Sequence, residues 1–481
     1  MPGARPNVLL LLQDQLRADV TTADGISTPG MDRLRAEGLT FDQAYTPTGI
    51  CSPARASLHT GLYAHTHGVL NNVTGPEAVS ANLPRAVPTV AEMLRAAGYR
   101  TGHAGKWHVS LDDPPASRGF DVDVAGDGMV TGDDRFADYV ERWAAPGATT
   151  VTTRFPAPGP RAARFQRRPF PMYSTDPVPV HGTLAAGVCE AGEAVLRSFA
   201  TGPEANRPFF LVVSFVDPHW PNVLPEPWAS MYDPSTIAPW SSFEDTFEGK
   251  PRTNQAGLEH FGVADFTWAD WAPFVAHYLG GVTYADVHVQ RLLGCLDELG
   301  LTDDTVVIAS ADHGDLAGSH RQFNKGPLMY EETYRVPLVV RWPGRVAPGS
   351  TSEGLASLVD LTPTIAEIAT ADPPADIHGR SLVPVLTGDT TSVRDALLCE
   401  FHGDELGLYS QRMIRRGSHK LVYNPNDLRE LYDLSTDPAE LHNLAYDQAH
   451  LTLRLDLEAN LLELMDETAD PLLRMSTNIL G

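Results

Sequence analysis

Asp14 and Asp312 each close a short aliphatic stretch, the first after Val8 to Leu12 and the second after Val306 to Ala309. Two carboxylates, the amide oxygen of Gln15 and the imidazole of His313 make a set able to hold a divalent metal ion. Oxygen donors favour calcium, magnesium or manganese, and the nitrogen donor tilts the choice toward manganese. An aspartate at a strand end also serves as a helix cap or a turn residue, so neither position decides the matter alone. Cys51, Pro53 and Arg55 fall in the stretch C-S-P-A-R-A-S-L-H-T-G. Taken singly, Cys51 is also compatible with a reduced cysteine acting as a small hydrophobe.

Three further stretches carry groups suited to an anion or to proton transfer. Lys106 and His108 lie in G-K-W-H after the segment Tyr99 to Ala104. Two residues apart on an extended chain they share a face, so both reach one anion. His219, in D-P-H-W, follows the apolar run Leu211 to Phe215, and Lys325, in N-K-G, follows Asp312 and His313. Each of these short motifs occurs by chance in unrelated proteins.

Asp14 and Asp312 can converge only if their strands are neighbours in one sheet. Short aliphatic runs between helical segments read as buried strands of a parallel sheet. Open α/β sheets bind ligands at the carboxyl ends of such strands. Phe209 to Phe215 and Pro337 to Val340 supply further strands. Helices are predicted over Met31–Glu37 and Val90–Ala97, stopping at Gly38 and Gly98, and over Cys189–Phe199 and Asp286–Leu299. The expected fold class is α/β, a large, mostly parallel sheet sandwiched by helices, occupying residues 1–389.

Two stretches inside that unit lack periodicity. Residues 145–180 carry Arg154, Arg161, Arg164, Arg167 and Arg168, and residues 221–273 carry Trp228, Trp240, Trp268 and Trp271. Both are candidates for pocket walls. The arginines read as a solvated loop, an arm gripping a neighbouring subunit, or a site for an extended anionic ligand. The tryptophans read as core under long loops or as rings that stack on substrate. From residue 390 the texture changes to short strands at Arg412–Ile414, Lys420–Tyr423 and Glu430–Asp433, then a helix at Leu451–Met465. This predicts a smaller C-terminal α+β domain over 390–481.

Composition excludes several classes. The 481 residues are 42% hydrophobic, enough for a large core, and 61 acidic against 36 basic side chains give a formal charge of -25. That field repels phosphate backbones and anionic lipid, so neither nucleic acid nor membrane is an expected partner. An anionic substrate then needs a positive pocket assembled locally. Four cysteines without a C-x-x-C pair suit a reducing compartment or an absence of structural disulfides. Five apolar residues near the start are too few for a signal-peptide core, and no run of about 18 apolar residues occurs. The expectation is a cytoplasmic protein, with a homo-oligomer left open.

Taken in order, the motifs become specific. N-V-L-L-L-L-Q-D-Q at Asn7 to Gln15, C-S-P-A-R at Cys51 to Arg55 and G-Y-R-T-G-H-A-G-K-W-H at Gly98 to His108 come first. S-A-D-H-G-D at Ser310 to Asp315, N-K-G at Asn324 to Gly326 and E-L-Y-D-L-S-T-D-P at Glu430 to Pro438 follow. The series resembles the type I, formylglycine-dependent sulfatases of the alkaline phosphatase superfamily over more than nine tenths of the chain. Gln15 stands where many sulfatases have a second aspartate and His313 where many have asparagine. In both, the chain resembles the branch that includes choline sulfatases and phosphonate monoester hydrolases. His59 stands where the signature often has leucine.

The resemblance implies a sulfuric ester hydrolase in which Cys51 is oxidised to formylglycine by a maturation enzyme. It implies that Asp14, Gln15, Cys51, Asp312 and His313 hold one divalent metal ion, calcium in the first place, manganese or magnesium otherwise. Arg55 and Lys106 would stabilise the nucleophile, and Lys325 would hold a non-bridging sulfate oxygen. His219 would protonate the leaving alcohol, with Lys325 able to share that task. His108 would take the proton that lets sulfate depart. Such groups absorb charge and move protons in line with the transferring centre. The substrate would be a small anionic sulfate ester. A phosphonate monoester hydrolase or phosphodiesterase built from the same parts remains an alternative, as does a non-catalytic protein that binds a sulfated ligand.

Overall fold

The computed structural model describes residues 5–74, 78–124, 150–152, 171–175, 180–404 and 406–474. An eight-stranded sheet forms the centre. Its strands in chain order are β1 (Asn7–Gln13), β2 (Leu39–Phe41), β3 (Arg100–Gly105), β4 (Val122–Val124), β5 (Phe209–Phe215), β6 (Thr305–Ala311), β7 (Leu338–Arg341) and β8 (Ser350–Ser352). Across the sheet the order is β8-β2-β7-β6-β1-β5-β3-β4. Strands β6, β1, β5, β3 and β4 run parallel, while β7 is antiparallel to both of its neighbours. The expected strand at Pro337 to Val340 is thus present one residue later and reversed in direction. Strand direction is set by the connection that precedes it, which an apolar run does not encode.

Strands β1, β5 and β6 are buried along nearly their whole length, as expected where both faces are covered. Val8, Leu10 and Leu12 join one apolar cluster, and Leu9 and Leu11 join the other. Alternate side chains of one strand therefore feed the two faces of the sheet.

Helices α1 (Pro29–Glu37), α2 (Cys51–Thr60), α4 (Val90–Ala96), α5 (Leu184–Thr201) and α6 (Trp268–Glu298) pack on those faces, and the short α3 (Ala64–His67) lies against α2. Two were under-read in sequence. Helix α5 starts at Leu184, five residues before the expected Cys189, where the Thr183 side chain accepts a hydrogen bond from the Ala186 amide. Helix α6 starts at Trp268, 18 residues before the expected Asp286, under a capping box formed by Thr267 and Asp270. The stretch 221–273 is accordingly not irregular throughout. Trp271 belongs to the core. Trp228 packs on Tyr284 with ring centroids 4.8 Å apart, and Trp240 covers the Arg17 guanidinium at 4.4 Å. Arg154, Arg161, Arg164, Arg167 and Arg168 lie outside the described residues.

A four-stranded antiparallel sheet follows, built from β9 (Ala396–Asp404), β10 (Gly407–Arg416), β11 (His419–Tyr423) and β12 (Glu430–Asp433). Helix α7 (Leu451–Glu467) packs on it through Leu457, Leu461 and Met465. Its apolar cluster also takes in Tyr63 and Val359 from the larger unit. Among the described residues no helix is long and apolar enough to cross a membrane.

Candidate active site

Strand register decides which side chains meet. Gln13 of β1 lies opposite Ala311 of β6 on one side and Phe215 of β5 on the other, and Gly105 of β3 lies opposite Ser214. Asp14, Asp312, the turn bearing His219, and Lys106 therefore leave the sheet along one edge. Helix α2 brings the last element there. All ten of its residues are buried, and Cys51 is the first of them.

Donor atoms of Asp14, Cys51, Asp312 and His313 lie within 4.8 Å of one another, and all four side chains are buried. Cys51 Sγ is 3.1 Å from His313 Nε2 and 3.7 Å from Asp14 Oδ1. His313 Nδ1 lies 2.8 Å from the Gly314 carbonyl oxygen, an acceptor, so this nitrogen carries the hydrogen. In the neutral ring the Nε2 lone pair then faces Asp14 Oδ1 at 3.7 Å and Asp312 Oδ1 at 3.8 Å. A lone pair aimed at two carboxylates is repulsive unless a proton or a metal cation stands between them; burial opposes the proton, and Asp312 and Cys51 favour it and raise the His313 pKa. A ring anchored through its other nitrogen is the usual arrangement of a metal-bound histidine. The donor set thus fits a divalent ion of the harder kind.

Gln15, the remaining expected ligand, is oriented by three contacts. Its amide nitrogen donates to Asp315 Oδ2 at 2.6 Å and Asn324 Oδ1 at 2.9 Å, and its amide oxygen accepts from Lys325 Nζ at 2.7 Å. Its φ is 64° and its backbone N–H donates to Asp312 Oδ1 at 3.1 Å.

Three buried cations converge here: Arg55 and Lys106 pair with Asp312 and Asp14, and Lys325 reaches Gln15 and His219. Arg55 Nε donates to Asp312 Oδ2 at 2.7 Å, and Nη1 donates to Ser214 Oγ at 2.8 Å and the Lys106 carbonyl at 3.0 Å. Lys106 Nζ donates to Asp14 Oδ2. Burial alone would raise the Asp14 pKa, but Lys106 beside it, then Arg55 and His313, hold it well below the usual range. Burial and Asp14 push the Cys51 thiol up, and Lys325, Lys106 and His313 outweigh them, leaving it lowered. The positive pocket that an acidic protein needs for an anion is assembled here.

His108 and His219 are held neutral. Burial, then Lys106 and Arg55, places His108 well below the usual value, and burial, then Lys325, does the same for His219. His108 Nε2 lies 3.1 Å from Thr74 Oγ1. His219 Nδ1 donates to the Trp220 carbonyl, so Nε2 offers a lone pair to Lys325 Nζ at 3.1 Å. In this state the proton between them belongs to the Lys325 and His219 pair rather than to His219 alone.

One expectation reached the right residues by the wrong route. Strand β3 ends at Gly105, whose φ of 93° lets the chain turn, and His108 has φ of 51°. A Cβ on Gly105 would sit 2.0 Å from the Ser214 carbonyl oxygen. Lys106 and His108 are therefore brought to the site by a turn, not by alternation along a strand. Sequence reasoning also missed Ser214, Thr74, Asp315 and Asn324 as partners. Asp315 and Asn324 lay inside quoted motifs, whereas Ser214 and Thr74 carried no signal. His59 is buried between Trp107 and Phe120, with ring centroids at 4.9 and 6.3 Å.

Two clefts among the described residues lie elsewhere. One of about 610 Å³ is lined by Arg17, Trp240, Glu332 and Arg415, and one of about 760 Å³ by Arg345, Thr387 and Arg394. Neither is lined by Cys51 or the groups around it, and the buried cluster is the candidate site because Cys51, three cations and two neutral histidines meet there.

Residues 6–371 match the family described as Sulfatase, and residues 318–467 match the family described as N-sulphoglucosamine sulphohydrolase, C-terminal. The chain is 26% identical over 502 residues to the N-acetylglucosamine-6-O-sulfatase of Bacteroides thetaiotaomicron, covering 96% of this chain and 86% of that protein. It is 29% identical over 490 residues to the choline-sulfatase of Rhizobium meliloti, covering 95% and 87%. The phosphonate monoester hydrolase of Agrobacterium radiobacter superposes with a TM-score of 0.77 at 26% identity, over 96% of each chain.

Proposed function

The chain belongs to the sulfatase family, and we propose that it cleaves a small sulfate monoester at the buried edge where Cys51 faces Asp14, Asp312 and His313. The observation that carries this reading is that single cluster, four donors within 4.8 Å at the head of α2. Oxidised to formylglycine and hydrated, residue 51 would supply a hydroxyl nucleophile. A divalent ion held by Asp14, Gln15, residue 51, Asp312 and His313 would make that hydroxyl acidic and take up charge from the sulfate. Calcium is the ion we favour, with manganese or magnesium served by the same donors.

The chain's own side chains do the rest. Arg55, locked by Asp312 and Ser214, and Lys106 fix the nucleophile and offset its negative charge. Lys325 leaves Gln15 to hold a non-bridging oxygen of the sulfate, which stabilises charge in the transition state. Lys325 and His219, 3.1 Å apart, deliver the proton that the leaving alcohol needs. His108, neutral and buried, accepts the proton whose removal releases sulfate. We place the boundary between the catalytic unit and the smaller C-terminal domain near residue 390.

Replacement of Cys51 by Ala tests the reading in protein from a maturation-competent host. Turnover of an aryl sulfate disappears while the circular-dichroism melt stays close to that of the parent; a variant that still turns over ends the proposal. The same assay with an aryl phosphonate monoester measures the second reading, which rests on Gln15 and His313 and on the phosphonate monoester hydrolase likeness. Faster phosphonate than sulfate turnover would replace the first reading by the second.

A further inference from the structure

Lys325 reaches the cluster from a loop bent against backbone preference. Between Ala317 and Asn324, four non-glycine residues hold left-handed φ values: Ala317 at 43°, His320 at 50°, Arg321 at 59° and Asn324 at 67°. Such conformations persist only where the surroundings over-determine them. Several contacts do so. Asp315 Oδ1 accepts from the Ala317 amide at 2.7 Å, the Leu316 amide donates to the Asn324 carbonyl at 2.8 Å, and Gln322 Nε2 donates to the Asn254 carbonyl at 2.7 Å.

The middle of the turn is held by His320, which is fully buried and touches none of the groups assigned to the reaction. Its Nδ1 lies 2.6 Å from Asp245 Oδ2, its Nε2 lies 3.6 Å from Glu332 Oε2, and its ring stacks on Tyr330 at 3.6 Å and 5°. Carboxylates on both ring nitrogens select the imidazolium. Burial opposes that charge, and Glu332 with the Asp245 hydrogen bond overcomes it. Asp245 also accepts from Lys250 Nζ at 2.5 Å, and Lys250 donates to the Glu440 carbonyl at 2.5 Å. The stretch 221–273 thus reaches the loop through Asp245 and Lys250, and the C-terminal sheet's flank reaches it through Glu440.

We propose that His320 is a positioning residue for Lys325: held between Asp245 and Glu332 on the face of Tyr330, it fixes the 317–324 turn that presents the Lys325 ammonium to the sulfate. This rests on Lys325 binding the sulfate. A residue acting only through Lys325 must lose its effect once that side chain is gone, whereas a residue supporting the fold at large loses independently.

The test is a double-mutant cycle of His320→Asn and Lys325→Ala, reading KM and kcat for an aryl sulfate, inhibition by inorganic sulfate, and melting temperature. Asparagine tolerates left-handed φ, so the exchange removes the charged ring without adding backbone strain. Expected for His320→Asn is a parallel weakening of KM and of inorganic sulfate binding by about tenfold, the scale of one charged contact. The double variant should be no worse than Lys325→Ala. Wild-type behaviour of His320→Asn, or losses that multiply in the double variant, would overturn the proposal. An unaltered Lys325→Ala would instead sink the underlying reading of Lys325 and the proposal with it. Should His320→Asn fail to fold, Asp245→Asn, which keeps the ring and weakens its clamp, enters the same cycle, with the same result expected and the same results overturning the proposal.

Discussion

His313 turns Nε2 toward Cys51 Sγ at 3.1 Å while its Nδ1 is committed to the Gly314 carbonyl at 2.8 Å. The ring is thereby fixed in the one tautomer and orientation that can donate to a metal ion shared with residue 51.

Metal dependence follows from that commitment. A strong chelator should abolish sulfate ester turnover, and calcium or manganese should restore it. His313→Ala should lower the metal content measured by mass spectrometry after dialysis and cut kcat/KM by about 100-fold, the upper range for groups that tune metal affinity. Full activity after exhaustive chelation would remove the metal from the mechanism.

The proposed proton delivery by the Lys325 and His219 pair makes the effect of His219 depend on the leaving group. An aryl alcohol of low pKa departs without help, and an alkyl alcohol does not. His219→Ala should therefore cost on the order of 100- to 10,000-fold in kcat for an alkyl or sugar sulfate, with a much smaller loss for an activated aryl sulfate. Equal losses on both substrates would assign His219 to binding rather than to proton transfer.

A second histidine clamp joins the nucleophile's side of the fold to the C-terminal sheet. His65 on α3 faces acceptors with both ring nitrogens, Glu400 on β9 at 2.8 Å and the Thr468 carbonyl at 3.0 Å, and its ring stacks against Tyr63 and His378. Glu400 is shared with His402 at 2.9 Å and Arg412 at 3.7 Å. Burial opposes the His65 charge, but Glu400 outweighs it and raises the pKa. A raised folded pKa means stability that is fully present below about 6.5, the unfolded value, and lost as pH rises through the folded pKa. The melting temperature should fall across that rise, and His65→Gln should flatten the slope. An unchanged slope in the variant would show that other groups carry it.

Much of the fold was legible because it rests on local pattern. The aliphatic runs at Val8 to Leu12 and Val306 to Ala309 could bury both faces only inside a parallel sheet, and Gly38 after α1 marked a helix stop. Helix α6 was read short because tryptophans and Pro273 hid the capping signal at Thr267. The reversal of β7 was invisible because direction depends on the path of the preceding chain. Ser214 and Thr74 escaped notice because ordinary hydroxyl residues acquire a role only from their neighbours.

The sequence by itself determined which chemical groups this protein possesses: an oxidisable thiol in a Cys-x-Pro-x-Arg frame, carboxylates and an imidazole at strand ends, and lysines and histidines beside them. Their identities are local and survive unfolding. Which atom faces which was settled by packing in the folded chain. It set the Gln13 to Ala311 register that joins Asp14 to Asp312, the Gln15 contact with Asp315, and the distant Asp245 that holds His320 in the turn before Lys325. Contacts across 75 to 300 residues of chain are fixed by packing and burial together, and no short stretch contains that information.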